Sequence, residues 1–79
     1  MINNEQQQVA KHLKHLNTQA YATEMSNSHS EAGIIKAISF YESEYNKYVH
    51  LYEVDHVISK ELETLYEIIS GLKDKLKKF

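Results

Sequence analysis

Apolar side chains recur along this chain at helical spacing in three stretches. In the first, Ile2, Gln6, Val9, Leu13, Leu16, Ala20 and Thr23 follow 4-3-4-3-4-3 intervals, the signature of one helix face. In the second, Ile34, Ile38, Tyr41, Tyr45, Tyr48 and Tyr52 follow 4-3-4-3-4. At 100° per residue these six fall within an arc of roughly 80°. In the third, Ile58, Leu62, Leu65, Ile69, Leu72, Leu76 and Phe79 keep a strict 3-4 alternation from Leu62 onward. The pattern predicts an all-α protein.

One break is plain. Met25-Ser26-Asn27-Ser28-His29-Ser30 is short, polar and rich in turn-forming residues. Ser28 and Glu31 are three apart, the spacing at which a Ser oxygen and a Glu carboxylate satisfy each other's orphan N–H groups as a capping box. A helix is therefore expected from about residue 29. Upstream, Asn3 or Asn4 is a usable N-cap for a helix over about 4–25. Two seams of similar length joined by a short loop predict an antiparallel αα-hairpin. The small groups of the first seam would accommodate the Tyr side chains of the second.

The third stripe is out of phase with the Tyr seam. On one straight helix over 29–78 the two would differ by roughly 120°. Asp55, Ser59 and Lys73 would then fall on the continuing Tyr seam. Two architectures account for this. In one, the helix breaks near 53–59 and turns back as a monomeric three-helix bundle. Asp55 as N-cap and the β-branched Val54, Val57 and Ile58 favour that break. In the other, the helix is continuous and its distal half meets a second copy, giving a dimeric helical bundle. No Gly, Pro or Asn lies between Lys47 and Gly71, and a tight helix–helix turn commonly uses one. Turn chemistry thus favours the long helix and a dimer. Gly71, inside the last pattern, costs about 1 kcal/mol relative to Ala.

Composition narrows the functional classes. The 79 residues include no Cys, Pro or Trp, and two Gly. That length allows one domain, 1–79, with a core near the lower limit for unaided stability. Without Cys there is no disulfide and no zinc–thiolate site. All nine basic residues are Lys and the net charge is -2, which disfavours nucleic-acid binding, where Arg and a basic surface are the rule. The first eight residues are mostly polar, without a basic head and apolar run, and no apolar run exceeds three residues, so neither a signal peptide nor a membrane span is expected. The chain reads as soluble and cytoplasmic. Lys, Asn, Ile and Tyr in place of Arg, Pro and Trp fit an A/T-rich gene, as in a low-GC bacterium or a phage or other mobile element.

Catalysis and metal binding find little support. There is no Cys nucleophile, no G-x-S-x-G elbow and no Gly-rich phosphate loop. Five His are present, with His12 and His15 three apart and Glu53 and His56 in a Glu-x-x-His pair. Di-iron bundles need two such pairs and two further Glu, and a second pair is missing. Solvated surface His is the simpler reading, and no cofactor or metal is expected.

The Tyr seam is the most unusual feature. A buried phenol must find a partner for its hydroxyl, so cores favour Leu, Ile and Val. Tyr suits a surface where one end of the ring is dry and the other wet. The seam either covers the first helix with its hydroxyls at the edge, or in part docks a partner. Leu51, Val54 and Ile58 add an apolar patch that runs into the third stripe. The residues expected at a partner or self-interface are accordingly Tyr41, Tyr45, Tyr48, Tyr52, Leu51, Val54, Ile58, Leu62, Leu65, Ile69, Leu72 and Leu76. The tail Lys73–Phe79 is basic and amphipathic; it complements a helix dipole and offers a weak membrane contact.

These features predict a small non-enzymatic protein–protein interaction module, a homodimer and a regulator or inhibitor of a host protein. Two alternatives use the same helices: a secretion or assembly chaperone masking a partner helix, and a bacteriocin-immunity-like protein at the inner face of a membrane.

Overall fold

The computed structural model describes residues 4–79. The seam position Ile2 and the candidate cap Asn3 lie outside them. Three helices follow one another: α1, Asn4–Met25; α2, Glu31–Tyr48; and α3, His56–Leu76. A 3-10 turn, Val49–Leu51, follows α2 directly. Among the described residues no helix is long and apolar enough to cross a membrane.

The first turn lies where the polar run places it, but its cap is shifted. Ser30, in extended backbone, is the N-cap of α2, and its Oγ accepts from the Gly33 N–H at 3.1 Å. Ser28 bonds Ser26 instead, Oγ to Oγ at 2.8 Å. Glu31 is thereby the first residue of α2. Its charge favours the positive end of the helix dipole, and the expected Ser28–Glu31 capping box does not form.

The continuous helix expected over 29–78 is interrupted. α2 stops at Tyr48, and the chain reverses through the 3-10 turn to Asp55. Asp55 is extended (φ -141, ψ 124), and its carboxylate accepts from the Val57 and Ile58 N–H groups at 2.8 and 3.1 Å. No described residue has positive φ. The absence of Gly and Asn therefore placed no constraint on this reversal. Backbone of negative φ throughout, with Asp55 extended, is open to any L side chain and makes the turn. The energetic reason is the α3 stripe. Fully burying a Leu contributes roughly 1.5–3 kcal/mol. Interrupting a helix forfeits a few hydrogen bonds of about 1 kcal/mol net each.

Cross-helix contacts set the directions. His12 of α1 meets Glu44 of α2, so α1 and α2 are antiparallel. Lys73 of α3 pairs with Glu42 of α2 at 3.1 Å, and Tyr52 reaches Glu63, so α3 reverses again. α3 therefore runs parallel to α1, with Asn17 bonded to Glu61 and Lys75 to Ser26. The bundle is a narrow rod of 48 × 17 × 15 Å.

α3 is the central element. It packs along both other helices, whereas α1 and α2 meet least. Six of the twelve buried apolar residues among those described belong to it: Ile58, Leu62, Leu65, Ile68, Ile69 and Leu72. Leu13, Leu16 and Ala20 of α1 and Ile34, Ile38 and Tyr41 of α2 complete the core. The two N-terminal seams thus converge on α3 more than on each other. The stripe that seemed to need a second copy is covered within one chain, and this removes the reason given for a dimer.

Candidate functional site

The twelve expected interface residues separate into an interior set and an outer set. Ile58, Leu62, Leu65, Ile69 and Leu72 are buried, as is Tyr41, and Leu51 and Leu76 are partly buried against them. These positions form the core and its edge, and they offer little free surface in the bundle. Val54 and Tyr52, in the α2–α3 turn, are exposed. The Tyr seam consequently runs from inside to outside. Tyr41 is sealed, with Phe40 edge-on at 5.1 Å. Tyr45 and Tyr48 sit at the rim, on opposite flanks of α2. Tyr48 meets His12 of α1, edge-on at 5.7 Å. Tyr45 meets Tyr66 of α3 at 6.0 Å, with the ring planes tilted by 50°.

The outer α2–α3 flank therefore gathers three tyrosines. Tyr66 is 60% and Tyr52 39% exposed. The Tyr52 hydroxyl donates to Glu63 Oε1. Its phenol pKa is raised above the usual 10.0, first by that bond, then by the Glu63 charge. Burial, Tyr45 and Glu53 add smaller contributions in the same direction. Tyr66 was outside the expected set because it falls beside the Leu62–Leu65 stripe rather than on it. At 100° per residue it stands about 80° from that stripe's centre, where a side chain edges a helix–helix groove. The short return of the chain brings Tyr45 and Tyr66 together, which no spacing within one helix could indicate.

Two buried polar groups also escaped the periodicity. Asn17 is 7% exposed between α1 and α3. Its Nδ2 donates to the Glu61 carbonyl and to Glu61 Oε1, both at 3.0 Å, while its Oδ1 is buried without a protein partner. Glu44 is 9% exposed, with Lys47 at 3.3 Å and His12 at 3.5 Å. Asn17 lies four residues after Leu13 and three before Ala20, so the seam's own spacing could have flagged it.

Two of the four Lys in the basic tail, Lys73 and Lys75, are engaged by the rest of the chain. Lys73 pairs with Glu42 at 3.1 Å, and Lys77 lies 3.7 Å from Asp74. Lys75 donates to the Glu24 carbonyl and, at 2.6 Å, to the Ser26 carbonyl. It thereby satisfies one orphan carbonyl in the last turn of α1, that of Glu24, and the Ser26 carbonyl just past the helix end; α1 has no basic residue in its own last turn. Phe79 is exposed.

The candidate metal pairs are not assembled into a set. His12 faces Glu44, and His15 Nε2 bonds Gln19 Nε2 at 3.0 Å. Glu53 is in the turn and His56 opens α3, so they do not share a helix face. Among the described residues no group of three or more His, Asp or Glu comes together as a metal site.

Comparison of the chain with family models, curated proteins and solved structures finds no match.

Proposed function

We propose that this protein is a non-enzymatic helical protein–protein interaction module that docks its partner on the outer α2–α3 flank. One observation carries the reading: three tyrosines stand at or outside the rim of a core that α3 already closes. Tyr66 and Tyr52 keep 60% and 39% of their surface, and Tyr45 joins them at 6.0 Å ring separation from Tyr66. Tyr anchors are favoured at interfaces because one end of the ring tolerates water while its body gains from burial. Regulation or inhibition of a partner would follow from occupying that partner's own surface. In this reading a single closed bundle acts.

The test is comparative capture from cells that produce the protein. Tagged wild type is set beside the Tyr52→Ser, Tyr66→Ser double variant. Both rings are exposed, so the variant should retain its helix content and melting temperature. A partner held by the wild type and lost from the variant supports the proposal. A partner held equally by both moves the docking surface elsewhere.

A further inference from the structure

The chemistry of this flank narrows the partner. Glu63 accepts from Tyr52, and Glu67 follows four residues later on the same helix. Two carboxylates at i,i+4 repel by about 0.2–0.5 kcal/mol. Among the described residues neither Glu63 nor Glu67 takes part in an ion pair, whereas Glu44, Glu42 and Asp74 do. The raised phenol pKa of Tyr52 reports the same negative surroundings, with Glu63 as its main cause and Glu53 a minor one. Tyrosine ring faces are also electron-rich. The exposed Glu63 and Glu67 carboxylates thus lie beside electron-rich rings, and the Tyr45 and Tyr66 ring planes meet in a corner, tilted by 50° to each other.

The size of the corner argues against a second folded copy as its occupant. A Tyr offers about 150–250 Å². At 60% and 39% exposure, Tyr66 and Tyr52 present roughly 200 Å² together. A stable folded interface needs about 800 Å² per partner. The patch is large enough to seat one or two side chains of an extended segment.

We propose that the Tyr45–Tyr52–Tyr66 corner, with Glu63, receives an arginine side chain from a basic, extended segment of a partner protein. This rests on the interaction-module reading above. A guanidinium is planar, stacks on an aromatic ring and pairs with a carboxylate through two parallel N–H groups. A lysine ammonium matches only the charge.

The experiment uses the full chain and three capped nonapeptides of a Gly/Ser background, carrying two Arg, two Lys or two Glu. Each is titrated by two-dimensional NMR at low and at physiological salt. The expected result is saturable shifts at the Tyr45, Tyr52 and Tyr66 rings with the Arg peptide, weaker shifts with Lys and none with Glu. Glu63→Gln and Tyr66→Ala should each lower the apparent affinity about 2–5-fold, the effect of an exposed cation–π or ion contact. Four outcomes overturn the proposal: a Lys peptide equal to the Arg peptide, Arg shifts spread evenly to Glu31 and Asp74, silent rings, and binding that neither variant weakens. Silent rings combined with tyrosine-dependent capture leave the module standing and remove the arginine site. A local, variant-sensitive Arg response with tyrosine-independent capture does the reverse.

Discussion

Leu65→Ala is the most direct probe of the closed bundle. Leu65 is 0% exposed on α3, the helix that packs along both others. Truncating a buried Leu costs about 2–5 kcal/mol, the spread reflecting how far the cavity collapses. Complete enclosure on the helix that packs along both others restricts collapse, which points to the middle of that range or above. A chain of 79 residues has roughly 4–12 kcal/mol of stability at 0.05–0.15 kcal/mol per residue. The substitution should therefore remove a quarter or more of the total. At 4–8 °C per kcal/mol, a loss of about 3 kcal/mol lowers the melting temperature by roughly 12–24 °C. Circular dichroism at 222 nm reads this directly, repeated over about a twentyfold range of protein concentration. Wild type and variant should each melt at a concentration-independent temperature. A wild-type melting temperature that climbs with concentration would place the Leu62–Leu72 stripe at a joint between copies. A drop of only a degree or two would show that Leu65 is not enclosed.

Four further outcomes follow from individual contacts. Asp55→Ala removes the acceptor of two N–H groups at the start of α3 and should cost about 1 kcal/mol in urea unfolding; Ser28→Ala, outside any cap, should cost almost nothing. Lys75→Met should speed hydrogen exchange in the last turn of α1 while leaving α2 unchanged, because the lost ammonium caps carbonyls only there; equal exchange across all helices would refute it. Asn17→Leu eliminates a buried unpaired oxygen and should hold or raise the melting temperature, by up to about 1 kcal/mol of stability; a loss above that would mean the Glu61 bonds outweigh the desolvation. Tyr52 has a phenol pKa raised above 10.0 chiefly by its bond to Glu63. A raised folded-state pKa favours the neutral phenol, so its stabilisation is present below pH 10 and fades as pH rises through the folded value. The tyrosinate absorbance lost in Tyr52→Phe should titrate above 10, and a midpoint at or below 10 would contradict the bond.

Much of the architecture is legible in spacing alone. The seams at Leu13–Ala20, Ile34–Tyr41 and Ile58–Leu72 coincide with the buried faces, because a 3-4 alternation fixes which side of a helix is apolar. Asp55 was readable as a cap for the same local reason. The reversal after Tyr48 was harder. Its backbone has no left-handed residue, so it carries no Gly or Asn to mark it. The 120° phase jump was the true sign of the break, since one straight helix cannot aim two stripes at one core. The Tyr45–Tyr66 corner and the Lys75 cap depend on side chains 21 and 49–51 residues apart meeting across helices. Periodicity within a helix holds no information about such meetings.

The cap that Lys75 places on α1 has a consequence for how the chain is made. As the polypeptide leaves the ribosome, α1 and α2 emerge first, and they bury little of each other. Both keep their apolar faces bare, and the end of α1 stays ragged. The residue that finishes the first helix belongs to the last one. α3 must therefore emerge before the bundle can settle, and a chain stalled ahead of it is the form most exposed to proteolysis and to wrong company.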